Sequence, residues 1–276
     1  MYKALSPGAM GIRVGSLEEA IRIAHDAGFE GVEIGIHEVA DLVDAHGAEH
    51  VRGLFDGAGI RPAGWGMPVE FRKDDSTYQE GLKALPRLAR AAQAIGCTRT
   101  CTWIMPCSDT RPYEENRKFH IERFKPISAI LADHGCSFGL EFIGPKTLRD
   151  SQKYPFIHTM DAMLEMCAEI GPNMGVLLDC WHWYTSEGTV EQIRKARASQ
   201  IVYVHVNDAP EGVPLDQHVD NKRCLPGATG VIDIAGFLQA LAAIGYDGPV
   251  IPEPFGSPAS WAADSLRAIW KKAGLS

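Results

Sequence analysis

What most constrains this chain is an alternation that recurs from end to end: short apolar runs bounded by glycine or proline, each followed by a longer segment of helical period. Such runs mark strands buried on both faces, and an intervening helix lets each strand lie parallel to the one before it. The first unit parses most clearly. In SLEEAIRIAHDAGF, Ser16 and Glu19 form a capping-box pattern, and Leu17, Ala20, Ile21, Ile23 and Ala24 make an apolar face. Gly28 closes that helix before GVEIG at 31–35.

The same unit can be counted to the end of the chain. Strands are expected at 3–10, 31–35, 61–67, 98–104, 137–143, 174–179, 201–207 and 249–255, and helices at 17–27, 46–58, 77–95, 114–134, 159–170, 189–197, 233–244 and 258–273. Eight strand–helix units in 276 residues match a single (β/α)8 TIM barrel of the α/β class. No Ser/Gly/Pro linker or charge run divides the chain, so residues 1–276 read as one domain. An open doubly wound sheet would carry a Gly-rich fingerprint after its first strand, and SPGAMG is a poor match to G-x-G-x-x-G.

Charge and cysteine usage narrow the partners. A formal charge of -8 lacks the basic stripe that nucleic acid requires, which leaves a small polar substrate or a protein partner. The seven cysteines are odd in number, scattered and never in a C-x-x-C pair, as expected of reduced thiols. MYKALSPGAM has no signal-peptide pattern and no run approaches the ~20 apolar residues of a membrane span, so a soluble, cytoplasmic protein is expected.

In a barrel, function sits where strands end. GLEFIG ends on Glu141, GVLLDCWHW on Asp179, IVYVHVND on His205 and VIPEPF on Glu253, each interrupting an apolar run. Charged groups there are costly unless paired or bound to a metal. Three carboxylates and one imidazole make a mixed oxygen and nitrogen site suited to one divalent ion, Mn²⁺ first, with Mg²⁺ or Co²⁺ as alternatives. A buried ion-pair network is the competing explanation.

These segments, with the intervening DNKRCLPGATGVIDIAGFLQAL, resemble the xylose isomerase-like TIM-barrel superfamily of sugar isomerases and epimerases. The resemblance covers nearly the whole chain and is strongest from about Gly139 onward. It implies that Glu141, Asp179, His205 and Glu253 bind the metal, that Glu141 and Glu253 also act as the acid/base pair, and that His182 contacts substrate. Arg223 would bind an anionic or polyol end of that substrate. The implied activity is isomerisation or epimerisation of a small sugar or keto-sugar through a metal-stabilised enediolate. The alternative is a lyase or dehydratase acting on an inosose-like or 3-keto-glycoside substrate. Members of the superfamily also form homo-oligomers.

Two departures from the family pattern bear on that choice. LPGATG lacks the acidic residue that often follows LPG, and VNDAPEG lacks the arginine that ketose epimerases place after the histidine. A non-catalytic barrel would be expected to break the metal set, and a nuclease related to endonuclease IV would need more histidines and acids on the early strands. Trp65, Trp103, Phe142, Trp181 and Trp183 read either as packing or as a substrate wall, and Glu33 as a substrate contact or the partner of a basic group. Cys101, Cys107 and Cys180 read as packing residues.

Overall fold

The computed structural model describes residues 1–275. Its barrel strands are β1 Tyr2–Leu5, β2 Gly31–Val32, β3 in two pieces (Arg61–Pro62 and Trp65–Gly66), β4 Arg99–Trp103, β5 Ser137–Glu141, β6 Met174–Asp179, β7 Ile201–Val206 and β8 Pro249–Pro252. Every neighbouring pair is parallel, and the order round the sheet is β3, β2, β1, β8, β7, β6, β5, β4 and β3 again. The ring thus meets itself on one strand. Arg61–Pro62 pairs with β2, Trp65–Gly66 pairs with β4, and the ladder lapses at Ala63–Gly64. A Cβ at Gly64 would lie 2.3 Å from the Tyr203 ring, which crosses the barrel interior at that point.

Helices cover the outside of this ring, and their ends show why they start and stop. Ser16 accepts from Glu19 N–H (3.2 Å), while the Glu19 carboxylate turns back to accept from Gly15 N–H (2.7 Å), one residue earlier than the usual capping box. Asp74 caps Asp75–Ala94, and Thr189 with Gln192 forms a complete capping box on Val190–Lys195. The helix expected over 46–58 is Ala48–Ala58, and a further helix, Ile36–His46, which was not expected, precedes it; the two are separated at Gly47, whose φ of 84° cannot continue a right-handed helix. Residues 6–10, read as the end of the first strand, form a turn in which Met10 N–H donates to Ser6 C=O.

Two apolar layers hold the fold. Most buried side chains lie between the sheet and its helices, whereas Ala4, Ala63, Cys101, Leu177, Tyr203 and Ile251 form a separate cluster. Five of these come from five different strands and Ala63 from the break within β3, at inward positions of the barrel. They are the floor on which the polar residues of the next layer stand.

Candidate active site

Side chains two residues apart on a strand share a face. Glu141, Asp179, His205 and Glu253 therefore stand one layer above Gly139, Leu177, Tyr203 and Ile251. Asp179 and His205 are direct register partners on β6 and β7, and His205 is partnered with Ile251 on β8. Glu253 follows β8, where its N–H donates to Asn207 Oδ1 (3.0 Å). All four expected residues meet at the C-terminal mouth of the barrel.

His205 Nδ1 lies 3.8 Å from Glu141 Oε1 and 3.5 Å from Glu253 Oε2. One donor atom each from Glu141, Asp179 and His205 falls within 4.8 Å of the others. Glu141 Oε1 and both His205 nitrogens are buried without a hydrogen-bond partner. Opposed ligands around an ion with bonds of about 2.1 Å lie about 4.2 Å apart, so the donor set and its unpartnered atoms fit a divalent cation.

Asp179 divides its two oxygens between structure and site. Oδ1 accepts from Trp181 N–H (2.7 Å) and caps the short helix Cys180–Thr185, while Oδ2 accepts from Arg223 (2.7 Å). His182 therefore sits on a helix directly after the strand and not on an extended loop. The six residues of that helix are mostly aromatic and buried, so no exposed polar face marks it in the sequence. His182 Nδ1 accepts from Gly144 N–H (3.2 Å), leaving Nε2 3.9 Å from both Glu141 Oε1 and Asp179 Oδ2.

Arg223 enters the site more deeply than a loop residue binding the end of a substrate would. Its Nη1 donates to Asp179 and Glu253, its Nη2 donates to Asp220 (2.9 Å), and the side chain is 4% exposed. The loop that carries it is tied down by Asp208, which sequence reasoning missed. Asp208 and Cys224 exchange backbone hydrogen bonds, and the Asp208 carboxylate accepts from Thr229, Gly230 and Ile232 N–H groups. An aspartate two residues beyond the last in-strand residue, Val206, was the available signal.

Electrostatics at the mouth follow from burial and crowding. Burial, then Glu253 and Asp179, push the Glu141 carboxyl well above the ordinary carboxylate range. Burial opposes charge on Glu253 as well, but His205 and Arg223 outweigh it and hold that carboxyl below its ordinary value. Burial likewise opposes protonation of His205, yet Glu253, Glu141 and Asp179 raise it to about 9. The three crowded carboxylates demand positive charge, which Arg223 and a protonated His205 supply here and which a bound divalent cation would supply instead.

Glu141, His182, Arg223 and Glu253 line a cavity of about 310 Å³ with Trp103, Met105, Ile143, Leu148 and Phe255. Trp103 and Phe255 are half-exposed at its rim, whereas Trp65, Phe142, Trp181 and Trp183 are buried packing residues. Glu33 lies across the mouth and accepts from the Tyr203 hydroxyl (2.7 Å), not from a basic group. Cys101, Cys107 and Cys180 are buried and form no disulfide. No helix among the described residues is long and apolar enough to cross a membrane.

Comparison with known proteins gives a consistent set. The family model described as xylose isomerase-like TIM barrel matches residues 21–272. An inosose isomerase of Halalkalibacterium halodurans is 23% identical over 231 residues, covering 83% of this chain and 79% of the relative. A ketose 3-epimerase of Arthrobacter globiformis is 33% identical over 250 residues (86% and 77%). A 3-dehydroshikimate dehydratase of Pseudomonas putida is 35% identical over 270 residues, 92% of this chain but 39% of that longer protein. The crystal structure of a xylose isomerase domain protein from Alicyclobacillus acidocaldarius superposes with a TM-score of 0.87 at 27% identity, covering 99% of both chains. The IOLI protein, crystallised with a zinc atom, shares the fold at a TM-score of 0.76 and 20% identity, over 99% of this chain and 98% of its own.

Proposed function

Because the chain belongs to the xylose isomerase-like TIM-barrel family, we propose that it is a divalent-metal-dependent isomerase or epimerase of a small sugar or keto-sugar derivative, with residues 1–276 acting as one catalytic unit. The observation that carries this reading is the pair Glu141 and Glu253, both within 4 Å of His205 at the floor of the cavity. Glu141, Asp179, His205 and Glu253 would hold the metal. Three carboxylates and an imidazole favour Mn²⁺, with Mg²⁺ or Co²⁺ as substitutes, and the zinc-bound relative supports a divalent ion. When bound, the cation supplies Lewis-acid polarisation of a substrate carbonyl and its neighbouring hydroxyl.

The protein's own residues perform the remaining tasks. One of Glu141 and Glu253 takes the proton from the carbon beside the carbonyl, and the other returns it. His182, its Nδ1 fixed by Gly144, presents Nε2 to orient a substrate hydroxyl. Arg223 lines the cavity and binds a polyol or anionic end of the substrate. Trp103, Ile143 and Phe255 limit the access of water to the anionic intermediate. Return of the proton to the opposite face of one carbon gives an epimer, and return to the adjacent carbon gives an isomer.

A lyase with the same site is the second reading, favoured by the 35% identity to a dehydratase. There, loss of a β-leaving group follows the same proton abstraction. NMR in D₂O of the metal-loaded protein with ketoses, inososes and 3-keto-glycosides separates the two. Deuterium in an otherwise intact ketose supports the first, a new alkene or released leaving group supports the second, and neither across the panel overturns both.

A further inference from the structure

Arg223 competes for oxygens that a metal would use. Its Nη1 bridges Asp179 Oδ2 and Glu253 Oε2, drawing together two of the three carboxylates at the mouth. Without a cation there, those carboxylates would repel in a region of low dielectric. The contact with His182 is of another kind. Because His182 Nδ1 accepts from Gly144 N–H, the neutral ring carries its proton on Nε2, and Nη2 of Arg223 meets that donor at 3.1 Å. Two donors face each other, so the carboxylates, and not the histidine, hold the guanidinium in place.

The backbone beside Arg223 is fixed, and its side chain has a second carboxylate anchor besides Asp179 and Glu253. Cys224, the next residue, is pinned to Asp208 through both backbone groups (3.0 and 2.8 Å). Asp220 accepts from Nη2, and Asp220 and Asn221 line the cavity next to Arg223. Asn221 adopts a φ of 67°, which places a tight backbone turn just before the arginine.

We infer that Arg223 is an internal counter-cation, which occupies the carboxylate oxygens in the metal-free protein and gives them up when a divalent ion binds. The inference rests on the metal site proposed above. Its consequence is that Arg223 lowers metal affinity while stabilising the metal-free fold, two effects of opposite sign from one side chain. A residue that merely supported the site would move both in the same direction.

Co²⁺ titration followed by visible absorption tests this without a substrate. Arg223→Met should bind Co²⁺ about tenfold more tightly than the unaltered protein, equivalent to about 1.4 kcal/mol, and should melt at a lower temperature when metal-free. Guanidinium chloride in the low millimolar range should reverse both changes in Arg223→Ala, by refilling the vacated space. Equal or weaker Co²⁺ binding by a folded Arg223→Met protein overturns the inference. If that variant does not fold without metal, Arg223→Lys, which keeps a charge but only one donor group, should still bind Co²⁺ more tightly than the parent, and equal or weaker binding overturns the inference. Absence of Co²⁺ binding in parent and variants alike overturns the metal site itself, an outcome distinct from binding that ignores Arg223.

Discussion

The backbone N–H of Glu253 donates to Asn207 Oδ1 at 3.0 Å, linking the ends of β7 and β8 just where the proposed mechanism places a carboxylate. Asn207 is fully buried, and its backbone also meets Cys180, the residue after Asp179. One asparagine thus connects the strand ends that carry Asp179, His205 and Glu253. Asn207→Ala should lower turnover by about tenfold to a hundredfold, the usual effect of removing a residue that orients a ligand. Steady-state kinetics with circular dichroism check this, and unchanged turnover would remove Asn207 from the positioning of Glu253.

Glu141→Gln and Glu253→Gln keep side-chain shape and remove the basic oxygen. Each should lower turnover by at least about a hundredfold, within the range for loss of general acid–base catalysis, while leaving the circular dichroism spectrum in place. EDTA should abolish activity reversibly. Full activity after complete metal removal would sink the mechanism.

Gly144 is held by steric contact on two sides. A Cβ there would lie 2.2 Å from His182 C=O and 2.4 Å from Thr185 Oγ1, both in the short helix that follows Asp179. Gly144→Ala should destabilise the protein by about 1–3 kcal/mol, as overpacking of a close-packed site does, and should displace His182. Thermal denaturation measures the first effect, and a raised KM the second.

His120 supplies a pH dependence remote from the site. Its ring is buried, stacks on Phe156 at 5.1 Å, and contacts Asn116 C=O through Nδ1 (2.7 Å). Burial lowers its pKa to about 4 against the bond that Nδ1–H donates to Asn116 C=O, with Arg72 and Arg111 lowering it further. The unfolded chain therefore takes up this proton first, near pH 6.5. The contribution to stability is complete above that pH and is lost as pH falls toward 4, a change of up to about 3 kcal/mol. Urea denaturation of His120→Phe should show a shallower loss across that window, and parallel curves would show that His120 contributes nothing to it.

Much of this was legible because burial in a barrel leaves a strong imprint on sequence. The sixth strand spans 174–179 in both the sequence reading and the structure, since MGVLLD is apolar until the residue that faces the mouth. Glu141, Asp179 and His205 were conspicuous for the same reason: each is a polar side chain in a run that otherwise has none. Residues that act through loops left no such trace. For Asp208 the only trace is its position just past the strand, and the roles of Asp208 and Asn207 depend on backbone groups distant in sequence. The depth of Arg223 was equally hidden, because a guanidinium at a loop position has the same local signature in solvent as among carboxylates.

The interrupted pairing at Ala63–Gly64 divides the barrel mechanically. Each piece of β3 is stitched to its neighbour by two residue pairs, whereas β4 and β5 share five, β5 and β6 four, and β6 and β7 four. Glu141, Asp179 and His205 stand on the densely stitched arc, and Glu253 follows β8, which shares three pairs with β7, so breathing of the ring at its seam need not disturb the distances among the four. Amide exchange should accordingly be fastest, among the barrel strands, over residues 61–66 and slowest along β6 and β7. A barrel built this way can open on one side while its reacting groups stay in register on the other.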